Sequence, residues 1–259
     1  MKQYLTVVLF FANLASPQSK SAVPLTAEPS HHQVLKNLFL SVFDVQAPPK
    51  ASTLLHLHSH DYIYVTLGDA EILNAPKGQK PVSVHLNDGD VKFAKGGLVH
   101  TVTNTGNHTF RNITIEFLSP SSHVHPCTAS CSIPATCELP DKSGCPKVEQ
   151  LISADQWVVT SITLPPAAHY RQHTHLANFL VVPVTELDLK EQRQSGAETE
   201  LRRAMGEISW NNPMVHTLTN AGSKPAKFIV LELRGRPAGV GSENPADEKE
   251  HKNEPPHHH

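Results

Sequence analysis

The chain has 259 residues, 39% of them hydrophobic, and a formal net charge of −2. This length can bury two modest cores, and the near-zero charge gives no electrostatic footprint for nucleic acid or an anionic membrane surface. Histidine is the outlier of the composition, with 18 residues against 22 lysines and arginines together.

Residues 1–22 have the form of a secretory signal peptide. Lys2 precedes an apolar run from Tyr4 to Ala15, which then breaks into Ser, Pro and Gln. The run is too short to span a bilayer, and no later stretch is apolar enough. We therefore expect an exported protein, periplasmic or extracellular, with no integral membrane segment; the alternative is that the run forms a buried first strand. Residues 23–36 read as a polar leader in which His31 and His32 are solvated.

Residues 37–118 are predicted to form an all-β unit. Short β-branched and aromatic runs such as YIYVTLG and NITIEFL are punctuated by Gly, Asn, Asp and Pro. None shows sustained helical periodicity, which is typical of a small sandwich or barrel. Alternate side chains share one face of a strand, so His56 and His58 point the same way. His100, from a later strand, can then close a metal site.

Residues 119–147 read as a linker, which contains Cys127, Cys131, Cys137 and Cys145. An even, clustered set of cysteines in an exported chain predicts two disulfides, with three connectivities to choose from. A zinc site is the competing interpretation, although the spacings lack a C-x2-C pair.

Residues 148–234 repeat the first unit. His173, His175 and His216 occupy the places of the three histidines above, at offsets of 117 residues from His56 and 116 from His100. PPKASTLLHLHSHDYIYV aligns with PPAAHYRQHTHLANFLVV, and HTVTNTGNHTFRNITIEF with HTLTNAGSKPAKFIVLEL, both without a gap. Such a repeat predicts two copies of one module. Residues 235–259, rich in Gly, Pro, Glu, Lys and His, are expected to be a disordered tail.

These motifs resemble those of the cupin superfamily in its two-domain, bicupin form. The motif G-x5-H-x-H-x(3,4)-E-x6-G is matched in the first unit by His56, His58 and Gly68, with Lys50 at the first glycine and Asp61 in place of the glutamate. The motif G-x5-P-x-G-x2-H-x3-N is matched by Gly89, Gly97, His100 and Asn104. The second unit keeps His173, His175, Gly206, His216 and Asn220, with Ala167 at the first glycine and Asn178 in place of the acid.

The resemblance implies two tandem cupin barrels (double-stranded β-helix, or jelly-roll, domains) joined by the Cys-containing linker. Each would hold a divalent transition metal on its three histidines. Fe, Cu, Zn, Mn and Ni all remain open, and imidazole affinity favours Cu or Zn. The glutamate that commonly completes the family's ligand set is absent from both units, which counts against the oxalate-decarboxylating bicupins.

The H-x-H motif is followed by three further candidates for a role in metal binding or catalysis: His60, Asp61 and Tyr62. If the strand turns after His58, Asp61 becomes a fourth ligand or an acceptor behind a ligand imidazole. If the strand continues straight, His60 shares the ligand face and serves as an extra ligand or general base, or else is a plain rim residue. Tyr62 is a candidate proton shuttle. It is also a candidate pocket wall or ordinary core residue, together with Tyr64, Phe93 and Trp210.

The leading hypothesis is a metal-dependent oxidoreductase of the dioxygenase type that acts on a small organic molecule. A three-nitrogen centre without a carboxylate ligand leaves room for substrate oxygens and O₂, by analogy with other cupins. The alternatives are a metal-assisted isomerase or lyase acting on a sugar acid, and a non-catalytic cupin that binds metal or ligand. Homo-oligomer formation is a further expectation.

Overall fold

The structure, a computed structural model, describes residues 21–127 and 144–234. In the N-terminal unit, a 3₁₀ turn at Leu25–Ala27 accompanies the strands β1 (Val23–Pro24), β2 (His31–Lys36), β3 (Leu40–Ala47), β4 (His56–His58), β5 (Tyr62–Leu67), β6 (Ala70–Pro76), β7 (Val82–Leu86), β8 (Val91–Ala94), β9 (Leu98–Asn104) and β10 (Phe110–Phe117). The C-terminal unit contains β11 (His125–Pro126), β12 (Lys147–Ser153), β13 (Trp157–Leu164), β14 (His169–His175), β15 (Phe179–Pro183), β16 (Leu187–Arg193), β17 (Glu198–Arg203), β18 (Ser209–Asn211), β19 (Met214–Asn220) and β20 (Ala226–Leu233). A search of the described residues finds no helix with the length and apolar character needed to cross a membrane.

Both units have the same strand order. The N-terminal sheets run β2-β3-β10-β5-β8 and β4-β9-β6-β7, and the C-terminal sheets run β12-β13-β20-β15-β18 and β14-β19-β16-β17. β1 adds to β4 in parallel, and β11 pairs with β12. Even irregularities recur: the register shifts between Gln33 and Leu35 in β2 and between Gln150 and Ile152 in β12. The chain therefore contains two copies of one all-β arrangement.

The segment 23–36 is part of the N-terminal unit, so its interpretation as a polar leader is wrong. β2 pairs with β3 along its length, and β1 pairs with the strand that carries His56. β2 lies at the edge of its sheet with one face in solvent, which explains its polar composition. His31 is buried, at 8% exposure, and is not solvated as expected; His32, on the opposite face, is exposed.

The five-stranded sheets of the two units pack against each other. Because side chains alternate along a strand, β3, β5 and β10 each direct one set of apolar residues toward the partner sheet. This set forms one continuous core with residues of β13, β15 and β20. At its margin Phe117 stacks on Trp157, with ring centroids 4.4 Å apart. Trp210 stacks on Phe39 across the same contact. Trp210 is therefore an inter-unit contact, whereas the prediction placed it in a pocket wall or barrel core.

Several predictions fall outside the described residues. They are most of the predicted signal peptide (residues 1–20), Cys131 and Cys137 of the linker, and the tail from residue 235 onward. The pairing of the four cysteines therefore stays a prediction.

Candidate metal centre

Strand pairing brings three histidines together in each unit. His56 lies directly opposite His100 in the β4–β9 pair, and His173 opposite His216 in the β14–β19 pair. Neighbouring ring centroids are 5.2 Å apart for His56–His58, 4.5 Å for His56–His100 and 5.2 Å for His58–His100. The corresponding C-terminal distances are 5.2, 4.4 and 5.3 Å. Both predicted histidine triads are thus assembled, and with the same spacing.

Hydrogen bonds to Nδ1 set the tautomer of the first histidine in each triad. His56 Nδ1 lies 2.8 Å from the Leu54 carbonyl oxygen, and His173 Nδ1 lies 2.9 Å from that of Arg171. A carbonyl only accepts, so Nδ1 carries the proton and Nε2 keeps a free lone pair. Such outer hydrogen bonds are typical of metal-ligating histidines.

The third histidine of each triad also bonds through Nδ1, but its partner differs between the units. His100 Nδ1 lies 2.7 Å from the Asn74 amide oxygen, whereas His216 Nδ1 lies 2.7 Å from the Glu191 carboxylate. Asn74 and Glu191 occupy equivalent positions of β6 and β16. They are different residue types, so the internal repeat gave no signal for either. Only the strand register identifies them.

A glutamate stands behind the second histidine of each triad. Glu232 accepts from His175 Nδ1 at 3.0 Å and from the Leu176 backbone N–H at 2.9 Å. Its counterpart Glu116 is 3.8 Å from His58 Nδ1. The sequence reasoning missed this pair, although the aligned blocks contained the signal: a glutamate at the same place in both copies.

Burial favours the neutral form of four of the triad imidazoles. Desolvation lowers the pKa of His58 to about 2, that of His100 to about 3 and that of His173 to about 4, and it also lowers the pKa of His56. A neutral imidazole is the form that binds a metal. These four imidazoles are therefore in ligand form near neutral pH.

His31 joins the N-terminal triad as a fourth histidine. Its ring centroid is 4.8 Å from that of His56 and 6.2 Å from that of His58. The ligand atoms of these three residues lie within 4.8 Å of one another, as do those of His173, His175 and His216. The sequence gave no hint of this role, because no histidine stands at the matching place in the second copy.

Asp61 faces away from the histidine cluster. Its carboxylate accepts from Lys95 Nζ and from the Gly96 backbone N–H, both at 2.8 Å. Both oxygens are therefore used to fix the β8–β9 turn, and the prediction of Asp61 as a ligand finds no support in this geometry. His60 is partly exposed, with Nδ1 3.6 Å from Glu116, and is not among the residues that line the cavity.

The N-terminal cluster opens into a cavity with an empty volume of about 730 Å³, which includes its opening to solvent. Besides the four histidines, its walls include Tyr62, Tyr64, Phe93, Asn112 and Thr114. Tyr62 stacks on His58, with centroids 3.9 Å apart. Burial raises the pKa of Tyr62 and of Tyr64, so both phenols stay protonated. The walls thus offer hydrogen-bond donors beside the imidazoles.

The C-terminal cavity is smaller, with an empty volume of about 510 Å³, and is mainly apolar. Phe179, Val181, Phe228 and Val230 replace Tyr62, Tyr64, Asn112 and Thr114 at equivalent positions of the strands. These residues belong to a packed hydrophobic core. Little room for a polar substrate remains beside this triad.

The donors present fit a divalent transition metal in both units. His100 Nε2 is buried without a hydrogen-bond partner. His173 Nε2 and His216 Nε2 are 2.9 Å apart although both Nδ1 atoms donate elsewhere. The two Nε2 atoms therefore face each other across a distance that one shared cation can bridge. Imidazole nitrogens suit Zn, Cu, Fe and Ni.

No known family model and no curated protein matches the sequence, but solved structures match the fold. Oxalate decarboxylase aligns with a TM-score of 0.52 at 13% identity, over 75% of this chain and 68% of that one. AerE from Microcystis aeruginosa aligns with a TM-score of 0.53 at 12% identity, over 80% and 99%. The Bacillus subtilis decarboxylase OxdC aligns at 0.52 and 14%. The fold is therefore cupin-like.

Proposed function

We propose that the chain is an exported bicupin whose N-terminal unit is a metal-dependent oxidoreductase of the dioxygenase type, acting on a small organic molecule. One observation carries the proposal: a cluster of imidazoles opens into a cavity whose walls include tyrosine, asparagine and threonine side chains, while apolar side chains occupy the equivalent positions of the C-terminal cavity. A mainly apolar cavity with a few convergent polar groups, beside a metal-binding cluster, is typical of a substrate site.

The triad of His56, His58 and His100 would hold the metal. When bound, the ion would supply Lewis-acid and redox chemistry toward substrate oxygens and O₂. The identity of the metal is open: imidazole ligands suit Fe, Cu, Zn and Ni, and Mn(II) centres are present in the B. subtilis oxalate decarboxylase, one of the structures of similar fold.

The remaining wall residues would position the substrate. Tyr62 and Tyr64, kept protonated by burial, are donors for substrate oxygens, and Asn112 and Thr114 add an amide and a hydroxyl to the same chamber. Lys92 also lines the cavity, and its ammonium would attract an enolate or catecholate. Together these groups favour a compact, oxygen-rich anion.

The placement of His60 favours the oxidoreductase over the isomerase. An isomerase needs a general base within reach of the substrate. Among the described residues that line the cavity, the imidazoles belong to the metal cluster, the phenols stay protonated, and Lys92 forms an ion pair with Asp90. His60, the predicted base, is directed toward Glu116 outside this set. We therefore rank isomerase or lyase chemistry second.

For the C-terminal unit we propose a non-catalytic metal site. Glu191 and Glu232 accept hydrogen bonds from two of its imidazoles, which strengthens those ligands. The wall positions that carry tyrosine, asparagine and threonine in the N-terminal unit are apolar here. Its metal would stabilise the fold.

Elemental analysis and oxygen uptake test these assignments together. Wild type should bind two metals per chain, and His58→Ala and His175→Ala one each. After reconstitution with Fe, Cu, Mn or Ni, oxygen uptake with catechol- or enol-type substrates should survive His175→Ala and disappear in His58→Ala. Asp61→Asn is the matched control and should keep both metals and activity. Two bound metals without oxygen uptake for any metal would exclude the oxidoreductase.

Export and cysteine pairing belong to the same proposal. Cys127 and Cys145 flank the segment that contains Cys131 and Cys137. If the protein is exported and forms two disulfides, the denatured protein should titrate with no free thiols before reduction and four afterwards. Four thiols before reduction would contradict this part.

A further inference from the structure

We propose that His31 is a fourth metal ligand of the N-terminal unit, supplied by a strand outside the H-x-H and third-histidine motifs, so that the two sites of the chain have different ligand sets. This inference rests on the metal centre of the proposed function. It does not depend on the reaction.

The first observation is the position of His31 beside the triad. It lies on β2, in the sheet opposite to the strands of His56, His58 and His100. Its side chain crosses the interior, where its ligand atom lies within 4.8 Å of those of His56 and His58. It also lines the same cavity as the triad. Four imidazoles from both sheets therefore converge on one region.

The second observation is the hydrogen bond between Glu28 and His31. Its carboxylate is buried, at 3% exposure, and accepts from His31 Nδ1 at 2.6 Å. It also accepts from the backbone N–H groups of Ser30, at 2.8 Å, and Leu54, at 3.0 Å. Nδ1 is thus occupied, which leaves Nε2 as the atom available to a metal. A carboxylate behind a ligand imidazole fixes the ring and raises its basicity.

Leu54 connects this arrangement to the triad. Its N–H binds Glu28, and its carbonyl accepts from His56 Nδ1 at 2.8 Å. One peptide segment therefore holds the carboxylate of one ligand and the imidazole of another. β1 pairs with β4, the strand that carries His56, and Val23 lies opposite His56. The N-terminal segment 23–36 is in this way built into the metal site.

The C-terminal unit provides an internal comparison. Val148 occupies the place of His31, because His31 pairs with Val45 and Val148 with the equivalent Ile162. Val148 is buried in the apolar core. The same strand, with the same bulge, thus carries an imidazole in one unit and an aliphatic side chain in the other. The substitution coincides with the replacement of tyrosine, asparagine and threonine by apolar residues at the equivalent wall positions.

Copper binding in a His175→Ala background, where one site remains, tests the inference. His31→Val introduces the residue of the other unit, and His32→Val is the matched control on the exposed face of the same strand. We expect His31→Val to weaken Cu(II) binding at least about tenfold and to remove one nitrogen from the EPR superhyperfine pattern. His32→Val should change neither. Glu28→Gln should weaken binding by up to about 100-fold while the nitrogen count stays the same.

The outcomes separate this inference from the proposed function. Equal affinity and equal nitrogen count in the His31→Val and His32→Val proteins would overturn it, whatever the enzyme assay gives. If His58→Ala in the same background keeps the copper affinity and the nitrogen count of the His32→Val protein, the triad itself is wrong and both proposals fail. If His31→Val does not fold, as judged by circular dichroism, His31→Gln replaces it. Its Cu(II) affinity and its EPR nitrogen count are then compared with those of His32→Val.

Discussion

The two units share their strand order, their bulge and their triad spacing, yet they fill their interiors differently. Tyr64 in one corresponds to Val181 in the other, and Thr114 corresponds to Val230. Triad geometry differs by no more than 0.1 Å in ring spacing. The histidines were kept while the walls diverged, which indicates that the frame holds the triads and the walls determine what can approach them.

The groups behind the imidazoles diverged as well. The C-terminal triad rests on two carboxylates in hydrogen-bond contact, Glu191 and Glu232. The N-terminal triad has the neutral Asn74 and the more distant Glu116 in their places, and gains the Glu28–His31 pair. Each unit therefore has two carboxylates near its imidazoles, which suits a divalent cation in both. Glu191 and Glu232 both lie on strands, β16 and β20, whereas Glu28 lies in the turn before β2. The difference is in how each site is built, with the charge balance retained.

The largest contrast should appear in the cost of truncating interior residues. Phe228→Ala removes a buried ring from the C-terminal core and should reduce the free energy of unfolding by about 3–5 kcal/mol. Asn112→Ala, at the equivalent N-terminal position, borders the open chamber and loses one hydrogen bond from Thr114, which should cost about 1 kcal/mol. Urea denaturation of the metal-free proteins measures both. Equal losses would show that the N-terminal interior is packed as tightly as the other.

Acid should expose a second contrast. An unfolded histidine titrates near 6.5, whereas burial holds the folded pKa of His58 at about 2 and of His100 at about 3. Below pH about 6.5 the unfolded chain therefore binds protons that the folded chain excludes. Stability is fully present above that pH and falls as the pH is lowered, by up to about 1.4 kcal/mol per pH unit for each such histidine.

Metal-free protein unfolded in urea between pH 7.5 and 5 measures this slope. His100→Gln should flatten it by about one proton, and His173→Gln should flatten it too, because the pKa of His173 is lowered to about 4. The control is His85→Gln. The exposed His85 has its pKa raised by the Glu71 hydrogen bond, so its removal cannot flatten a slope of this sign. An unchanged slope in His100→Gln would mean that this imidazole is solvated.

Much of the fold could be read from the sequence because the repeat and the alternation of side chains are local signals. Aligned blocks around His56 and His173 fixed which strands correspond, and period-two patterns marked them as strands. β2 was missed because its correspondence with β12 rests on residues such as Gln33 and Gln150 in otherwise dissimilar sequences. An edge strand with one solvent-exposed face lacks the run of apolar residues that identifies a strand in the interior of a sheet.

The site was predictable as far as the histidines recur. His31 was missed because recurrence was the signal, and Val148 breaks it. Asn74 and Glu191 were missed because their contact with a histidine depends on the pairing of β6 with β9 and of β16 with β19, which are distant in sequence. Asp61 was predicted as one possible ligand because the cupin motif has an acid at that place. Lys95 and Gly96 engage that acid in a turn instead.

The smallest effect tests a feature that the units share. Lys50 and Ala167, where the family motif has glycine, adopt left-handed backbone with φ of 65° and 60°. Each backbone N–H is held by the carbonyl of the equivalent asparagine, Asn104 or Asn220, at 3.0 Å, so the strand register imposes the conformation. A side chain in this region costs about 1–2 kcal/mol, and the extra freedom of unfolded glycine offsets about half of the relief. Ala167→Gly should therefore stabilise the protein by about 0.5–1 kcal/mol, as measured by urea denaturation.

Lys50→Gly should gain less stability, because it also loses the contact of Nζ with the Thr105 carbonyl. Gly78→Ala is the control in the opposite direction, because it adds a methyl group at a φ of 77° where no atom lies within 4 Å. A loss of stability in this variant measures the cost of a side chain on left-handed backbone alone. A loss of stability in Ala167→Gly would show that the methyl group contributes packing that outweighs the strain.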